Sequence, residues 1–383
     1  MLLPFLLSQS GLSLGNTGAV LALASLPGTL CALYAPIVDF WIRRRMWLLS
    51  AAFASAARTG LAIRLLGTVT VNVITALLFG AYAFAMLVSA ATEGLMGVLL
   101  RPEERVRVGG WVQAGNLGAA SMGGGLLLML ASRHSNQLLA VVAVLLIVVP
   151  AFAVLAVPEP LPANAGTSYE SRLRVVAEDL KQTFLRTGSI PGILLLLSPI
   201  GSGAMSTLMS GLTREYGASL PQLAVGRGFG GGVLTATGAM CAVLMPVRHN
   251  ATTLYAFTGL LYGAVCLVVA AGPLHPVTLI VGLLFSNFAR GLSFACYTGV
   301  VLQIIGVRGE GKSGQYILLN SIGSLPIMYM TWAGGLVVEH LGARSLGAFD
   351  GVASMVTAAA FIAWWNCGRT RTPNPTEAQS TPT

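Results

Sequence analysis

Long apolar runs separated by short polar hinges make up nearly the whole chain. Eleven runs are long enough to be transmembrane helices, because a hydrocarbon core about 30 Å thick needs roughly 20 apolar residues per helical crossing. They lie at 16–39, 47–66, 70–100, 108–131, 136–157, 191–212, 223–246, 252–271, 276–305, 313–339 and 346–366. None shows the ten-residue alternation typical of membrane barrel strands. The pattern predicts an all-α integral membrane protein.

A shorter apolar run, Met1 to Leu7, precedes these eleven. At 1.5 Å per residue it covers roughly 10 Å, which is too little to cross a bilayer. It also lacks the basic start and the cleavage site of a signal peptide. We expect it to be the end of a first helix that is truncated by a missing or wrongly assigned N-terminus. The chain would then contain twelve helices, eleven of them full-length.

The longest polar stretch divides the chain into two six-helix bundles, 1–157 and 191–366. The stretch at 158–190 opens with Pro-Glu-Pro-Leu-Pro and continues with apolar residues at helical spacing, which indicates a cytoplasmic linker followed by an amphipathic helix on the inner membrane surface. The apolar positions are Leu173, Val176, Leu180 and Phe184. The end of the chain, 367–383, is rich in Thr and Pro and is expected to be disordered.

Composition supports the membrane assignment, since 55% of residues are hydrophobic and 9% are charged. A soluble protein carries roughly a quarter charged residues. The net charge of +9 would suit a nucleic-acid-binding protein, but no basic patch with interleaved aromatic residues occurs. The basic residues instead concentrate in every second hinge, at 43–45, 101–107, 172–186, 248, 308–312 and 369–371. By the positive-inside rule these hinges and the C-terminus face the cytoplasm.

Enzyme and cofactor signatures are absent from the sequence. The five cysteines have no metal-ligand spacing, and the four histidines lie in separate hinges. There is no Gly-x-x-x-x-Gly-Lys-Ser/Thr motif for nucleotide phosphates, and no nucleophile, base and orienting residue recur at helical spacing. We therefore expect a protein that is not an enzyme and that holds no cofactor and no metal.

The hinge after the second predicted helix carries a compact charge arrangement. It reads Ala-Pro-Ile-Val-Asp-Phe-Trp-Ile-Arg-Arg-Arg at 35–45, which places Asp39 before Arg43, Arg44 and Arg45. An acid at a helix end beside several arginines can form a charge network that closes and reopens as helices slide. We expect these four residues to gate the inner face.

This hinge resembles the signature loop of the major facilitator superfamily of transporters. Its Ala-Pro ahead of the acid and its triple arginine resemble the branch that contains the AmpG-like muropeptide permeases and the acetyl-CoA transporters. Further similarity lies in 102–105, 109–116 and 287–291. The chain departs from the general signature at Phe40, where Arg is favoured, and the matching hinge of the second half, 246–250, lacks an acid.

The resemblance implies two six-helix bundles in which helices one, four, seven and ten line a central cavity. It implies secondary active transport by alternating access, with protons as the coupling ion, in the inner membrane of a bacterium. The expected partners are a small polar or anionic solute, of which a peptidoglycan fragment is one example, and the lipid bilayer. A monomer is expected.

Ionisable residues inside a bilayer are expensive, so each is a functional hypothesis. Arg290 lies mid-helix, and Asn287 and Tyr297 recur with it at three- to four-residue intervals on one face. This face is predicted to bind substrate, since a guanidinium binds carboxylate or phosphate through two donors. The alternative is an ion pair between helices, with Glu93 as the partner. Arg58 is expected to support the core, and Asp350 is the fourth such residue.

The predicted seventh helix carries serines at every fourth position from 198 to 210. We expect Ser202 and Ser206 to contribute hydroxyl groups to the substrate cavity. The alternative is that these serines satisfy their own helix backbone or allow tight packing. Gln113 and Asn116, and Asn320 in helix eleven, are further candidates, either as ligands or as hydrogen-bond partners between helices.

Glu93 is the candidate for proton coupling. It lies in the inward half of helix four, where burial would bring its proton affinity toward the range needed to load and release a proton. The alternatives are a static partner for an arginine and a residue already hydrated from the inner side.

The sequence thus predicts a secondary active transporter that works by proton symport. One rival is a proton-coupled efflux antiporter, because 115–124 faintly resembles the helix-five motif of drug antiporters without its proline. A second rival, of another class, is a membrane protein fragment that does not transport.

Overall fold

The computed structural model describes most of the helical residues and part of the connections between them. The described residues are 2–9, 11–39, 42–99, 115–131, 133–158, six positions between 170 and 181, 190–243, 251–305 and 312–369. Gln113, the four apolar linker positions and the tail from 370 onward lie outside them, so what was predicted for these positions stays a prediction. Following the predicted topology, we call the end of the molecule where α1 ends and α2 begins the outer end.

The first half consists of six helices. They are α1 (Leu2–Gln9), α2 (Leu14–Tyr34), α3 (Arg44–Leu65), α4 (Val71–Leu99), α5 (Ala120–Ala131) and α6 (Asn136–Ala151). Short 3₁₀ turns extend α2 and α6, and a π turn at Gly115–Ala119 precedes α5. The Ser13 hydroxyl accepts a hydrogen bond from the Asn16 N–H and so caps the start of α2.

The second half contains more interruptions. Its helices are α7 (Ile190–Leu196), α8 (Ala204–Leu208), α9 (Leu220–Leu223), α10 (Gly230–Val243), α11 (Ala251–Ala271), α12 (Pro276–Ile305), α13 (Lys312–Leu341) and α14 (Arg344–Arg369). A π-helical segment, Ala224–Phe229, joins α9 to α10. Ser219 and Gln222 form a capping box that starts α9.

The helices confirm an integral, multi-pass membrane protein. Within the described residues there is no strand, and eight helices are long and apolar enough to span a bilayer. The predicted count of eleven full helices stays a prediction, since the described parts of the others are shorter. One prediction is wrong: the run at 191–212 is not a continuous helix but α7 and α8 with a break between them.

The short α1 is buried rather than peripheral. Leu2, Phe5 and Leu6 are each about one-twentieth exposed and share a core cluster with Met209 and Leu212 of the second half. This helix therefore helps to join the two halves at the outer end.

Two small-residue seams also join the halves. Along α2 and α13, a methyl group added to Gly18 would lie 2.8 Å from the Thr331 carbonyl oxygen. Between α5 and the π-helical segment, a methyl group on Gly125 would lie 2.8 Å from the Gly228 Cα. Glycine allows these backbones to approach as no other residue would. Counted along the twelve, this seam joins helices five and eight.

Six described positions fall in the linker, among them Glu170, Arg174 and Lys181. All six are helical and exposed. Their spacing places them along one polar side of a helix. The predicted amphipathic character also needs the apolar side, and it therefore stays a prediction.

Candidate functional site

The break between α7 and α8 is built by proline and glycine. Pro199 has no N–H to donate, and Gly201 and Gly203 adopt φ values of 64° and 71°, in the left-handed region that favours glycine. A break in apolar surroundings leaves carbonyls without helical partners. Here the Tyr329 hydroxyl donates to the Leu197 oxygen and the Tyr255 hydroxyl to the Ile200 oxygen, each at 2.9 Å. Two tyrosines from other helices therefore hold the break in place.

Asp350 of α14 completes this support from the other side. It is fully buried, and its carboxylate accepts three hydrogen bonds from the Ser202 hydroxyl (2.7 Å), the Tyr262 hydroxyl (2.7 Å) and the Met205 N–H (2.8 Å). A buried carboxylate is tolerated only when its oxygens are satisfied in this way. Asp350 thus ties α14 and α11 to the start of α8.

Two arginines bind the serines that follow Ser202. Arg290 Nη1 of α12 donates to the Ser206 hydroxyl at 2.8 Å, and Arg227 Nη1 donates to the Ser210 hydroxyl at 3.0 Å. Arg227 also reaches a backbone oxygen of α8. Three successive serines therefore contact one carboxylate and two guanidinium groups. These serines were predicted to lie along one helix, but they follow one another across the break between α7 and α8.

The charges of this cluster do not balance. No oxygen of Asp350 lies within 4.0 Å of a guanidinium nitrogen of Arg290 or Arg227, because its hydrogen bonds go to hydroxyl and N–H groups. Two cations face one anion in an interior of low dielectric. The cluster therefore has an excess of positive charge that suits an anionic ligand.

A small cleft opens beside the cluster, between the helix break, α12 and α13. Its volume is about 70 Å³, enough for a few water molecules or one small functional group. The polar residues lining it include Ser202, Ser293, Tyr297 and Asn320. The Tyr297 ring packs edge-on against Tyr255 with centroids 6.0 Å apart, and its hydroxyl donates to the Leu319 oxygen at 2.9 Å. Three predicted substrate residues thus meet at one cleft.

Other predicted residues lie elsewhere. Asn287 is buried against Gly231 of α10, and its amide donates to the Leu283 oxygen of its own helix at 2.8 Å. It shares the helix of Arg290 but faces a different neighbour. Asn116 is exposed in the π turn before α5. The alternative interpretation, an ion pair between Arg290 and Glu93, is not what the structure shows, since Arg290 donates to Ser206 instead.

The predicted gate and coupling residues lie together in the first half. Arg44 Nη1 donates at 3.0 Å to the backbone oxygen of Gly94, the residue next to Glu93. Glu93 itself is half-buried in α4. Arg43 is exposed, Arg45 is half-buried, and Asp39 ends the 3₁₀ turn that extends α2. The start of α3 is thereby attached to α4 beside the candidate coupling residue.

Sequence reasoning missed the central role of Asp350 and did not select Tyr262 or Arg227. Asp350 was recognisable as an ionisable residue within an apolar run, and Arg227 likewise. Tyr262 carried no signal, because a tyrosine in an apolar helix is ordinary and only packing brings its hydroxyl to a carboxylate.

Comparison with solved structures finds transporters whose fold is similar to that of this chain. The nucleoside transporter NupG is similar with a TM-score of 0.67 and 13% identity, over 95% of this chain and 93% of that one. A D-xylose-proton symporter is similar with a TM-score of 0.69 and 14% identity, over 94% of this chain and 92% of that one. The human organic anion transporter MFSD10 (TETRAN) is similar with a TM-score of 0.59 and 18% identity, over 91% of this chain and 82% of that one. The chain has the major facilitator fold.

At these identities the similarity establishes the fold alone. No family model matches the sequence, and no curated protein matches it. Counted along the twelve, α4, the broken pair α7 and α8, and α12 are helices four, seven and ten, which the resemblance implies as the lining of a central cavity. These are the elements that carry Glu93, the helix break and Arg290.

Proposed function

We propose that the chain is a member of the major facilitator superfamily and a secondary active transporter of a small polar or anionic solute. The observation that carries this proposal is Arg290, a mid-membrane cation that is held by Ser206 beside a polar cleft and has no carboxylate in contact. Such a charge is costly in a membrane unless function retains it. A solute with negative charge would compensate it.

The solute would bind between the halves, against the cleft of the second half. Ser202, Tyr297 and Asn320 line that cleft, and Arg290 lies behind its Phe294 wall with the guanidinium carbon 5.5 Å from the ring centroid. The cleft admits one functional group, so the rest of a larger solute, such as a peptidoglycan fragment, would occupy the space between the bundles. Asn287 and Asn116 would contribute from the edges of that space, and Gln113, outside the described residues, is proposed as a further ligand.

Alternating access would occur at the two glycine seams. Side chains at such contacts would interlock, whereas bare backbones can separate and rejoin with little repacking. The charged hinge formed by Asp39 and Arg43 to Arg45 would close the inner side. Because Arg44 contacts α4 beside Glu93, movement of this hinge would be linked to the proton carried by Glu93.

We propose proton symport by a monomer in the inner membrane of a bacterium, with the C-terminus in the cytoplasm. Solute and proton together would favour the switch between states only if the occluded state binds both better than the open states do.

Uptake into proteoliposomes under an imposed proton gradient tests the proposal. The solutes would be anionic sugars and peptide-linked sugars, and the variants Arg290→Ala and Glu93→Gln. The matched control is Arg214→Ala, which removes an exposed arginine of the same half. We expect uptake by the wild type and the control, and its loss in Arg290→Ala. Accumulation driven by the opposite gradient would replace symport with antiport, and equal uptake by all variants would refute the site.

A further inference from the structure

Buried polar atoms without a hydrogen-bond partner are rare in folded proteins, and each needs an explanation. Among the described residues there are four such side-chain atoms: Thr17 Oγ1, Arg290 Nε, Ser293 Oγ and Thr331 Oγ1. Two of them, Arg290 Nε and Ser293 Oγ, lie one helical turn apart on α12. Both adjoin the helix break, Arg290 at Gly203 and Ser293 at Gly201. Ser293 also lines the cleft, and Arg290 packs against Phe294 of the cleft wall.

The contacts of Arg290 leave a particular edge of its guanidinium group available. Nη1 is the nitrogen that donates to Ser206. A methyl group placed on Gly203 would lie 2.6 Å from Nε, 2.7 Å from Cζ and 3.1 Å from Cδ, so Gly203 covers the flat face rather than the edge. The buried Nε–H is therefore left without an acceptor among the described residues. Nη2 lies on the same edge and is not the nitrogen that donates to Ser206. These two groups donate in parallel and form the side-on fork that fits a carboxylate.

Ser293 differs from Ser286, the other buried serine of its helix. Ser286 donates to the Leu283 oxygen of its own helix at 3.0 Å, as a serine in an apolar helix usually does. The Ser293 side chain is 3% exposed, faces Gly201 across the break and lines the cleft without such a bond. Its hydroxyl is available to a group that enters the cleft.

We propose that the Nε/Nη2 edge of Arg290 and the hydroxyl of Ser293 form a subsite for a carboxylate group of the solute. This inference rests on the proposed transport function, which it narrows to carboxylate-bearing solutes. The planar fork matches a planar carboxylate, and a volume of about 70 Å³ suits that group better than a fully oxygenated phosphate. Ser293 is the residue added to the site, since Asp350 is already satisfied by three other donors.

The glycines of the break make the subsite geometrically feasible. At Gly201 a methyl group would lie 3.0 Å from Ser293 Cβ, and at Gly203 it would overlap the guanidinium group. Both positions have positive φ. The break therefore brings bare backbone against α12 at both residues, beside the cleft that Ser293 lines.

The test uses the whole purified protein and two probes of equal shape, acetate and acetamide. Binding to the folded state raises its thermal unfolding midpoint, by about 2 °C when the probe exceeds its dissociation constant several-fold. We expect about 100 mM sodium acetate, compared with sodium chloride at equal ionic strength, to raise the midpoint of the wild type on the order of this amount. Acetamide and inorganic phosphate should leave it unchanged.

Three variants locate the effect. Ser293→Ala removes a hydroxyl that has no partner and should fold normally, yet it should lose most of the acetate shift. Arg290→Lys keeps the charge but removes the fork, and it should lose the shift as well. Ser286→Ala removes the other buried serine of the same helix and should retain the acetate shift. Equal shifts with acetate and acetamide in the wild type, or a full acetate shift in Ser293→Ala, would overturn the subsite.

The outcome separates this inference from the transport proposal. An acetate shift that depends on Ser293, without uptake of any tested solute into proteoliposomes, would sustain the subsite and count against transport. Uptake that acetate does not inhibit and that Ser293→Ala does not alter would sustain transport and reject the subsite. A phosphate shift larger than the acetate shift would reject the carboxylate assignment.

Discussion

The two halves of the molecule treat charge in opposite ways. In the second half, Asp350, Arg290 and Arg227 are each held by hydroxyl groups around a broken helix, and Asp350 has no exposed surface. In the first half, Glu93 is half-buried and Arg58 is exposed with its guanidinium carbon 5.4 Å from the Phe84 ring centroid. Fixed charge suits recognition of a solute, and accessible charge suits exchange of a proton.

The difference follows from local sequence. Pro199 and two glycines interrupt the helix in the second half, and freed backbone groups require polar partners there. The corresponding helix of the first half is represented by α1, whose buried side chains are apolar. Among the described residues, the buried hydrogen-bond network around charged side chains therefore lies in the half that contains the break.

The largest effect should come from removing the centre of the fixed network. Asp350→Ala leaves two hydroxyl groups and one N–H without an acceptor, and should lower the free energy of unfolding by about 3–5 kcal/mol. Titration with SDS in mixed micelles would measure it. Arg58→Ala, in the accessible set of the first half, should cost about 0.5–1 kcal/mol. Equal losses in the two variants would erase the contrast between the halves.

The next effect concerns the seam between the halves. In Gly228→Val the new side chain would collide with the Gly125 backbone, and overpacking of this kind costs about 1–3 kcal/mol, so transport should fall at least about tenfold. Proteoliposome uptake would measure it. Gly123→Ala is the control, because its nearest neighbour would be a Leu146 methyl group at 3.8 Å. Normal uptake by a folded Gly228→Val would mean that this seam does not move.

A more selective effect is expected for the accessible acid. Glu93→Gln should abolish accumulation driven by a proton gradient while preserving solute counterflow, since the amide retains shape and polarity but carries no exchangeable charge. The control Glu339→Gln changes an exposed acid at the outer end. Retention of gradient-driven accumulation by Glu93→Gln would shift the coupling role to another group.

The smallest expected effect is an increase in the free energy of unfolding. Thr17 and Thr331 lie on α2 and α13, and their buried hydroxyls have no partner among the described residues. Thr17→Val and Thr331→Val keep the shape and should each stabilise the joined outer end by about 1 kcal/mol. SDS titration would again serve. Thr75→Val is the control, since its hydroxyl already donates to the Val71 oxygen at 2.8 Å. A loss of stability in the first two variants would indicate that their hydroxyls are satisfied.

The fold was largely predictable from the sequence. Apolar runs long enough to cross a bilayer must be helices, because a lipid-exposed backbone has no other means to satisfy its polar groups. Arg290 and the serines were identifiable because polar residues stand out in apolar runs.

What the tertiary structure decided is which polar groups meet. Helical spacing placed Asn287 with Arg290, yet packing directs Asn287 to α10 and Arg290 to the broken helix. The break was signalled by Pro199 and its two neighbouring glycines, but a proline can also bend a continuous helix. Asp350 and Tyr262 lie 88 residues apart and become partners only in the bundle. The spacing of residues along the sequence decides which of them share a face of a helix. The packing of the whole chain decides which neighbour that face contacts.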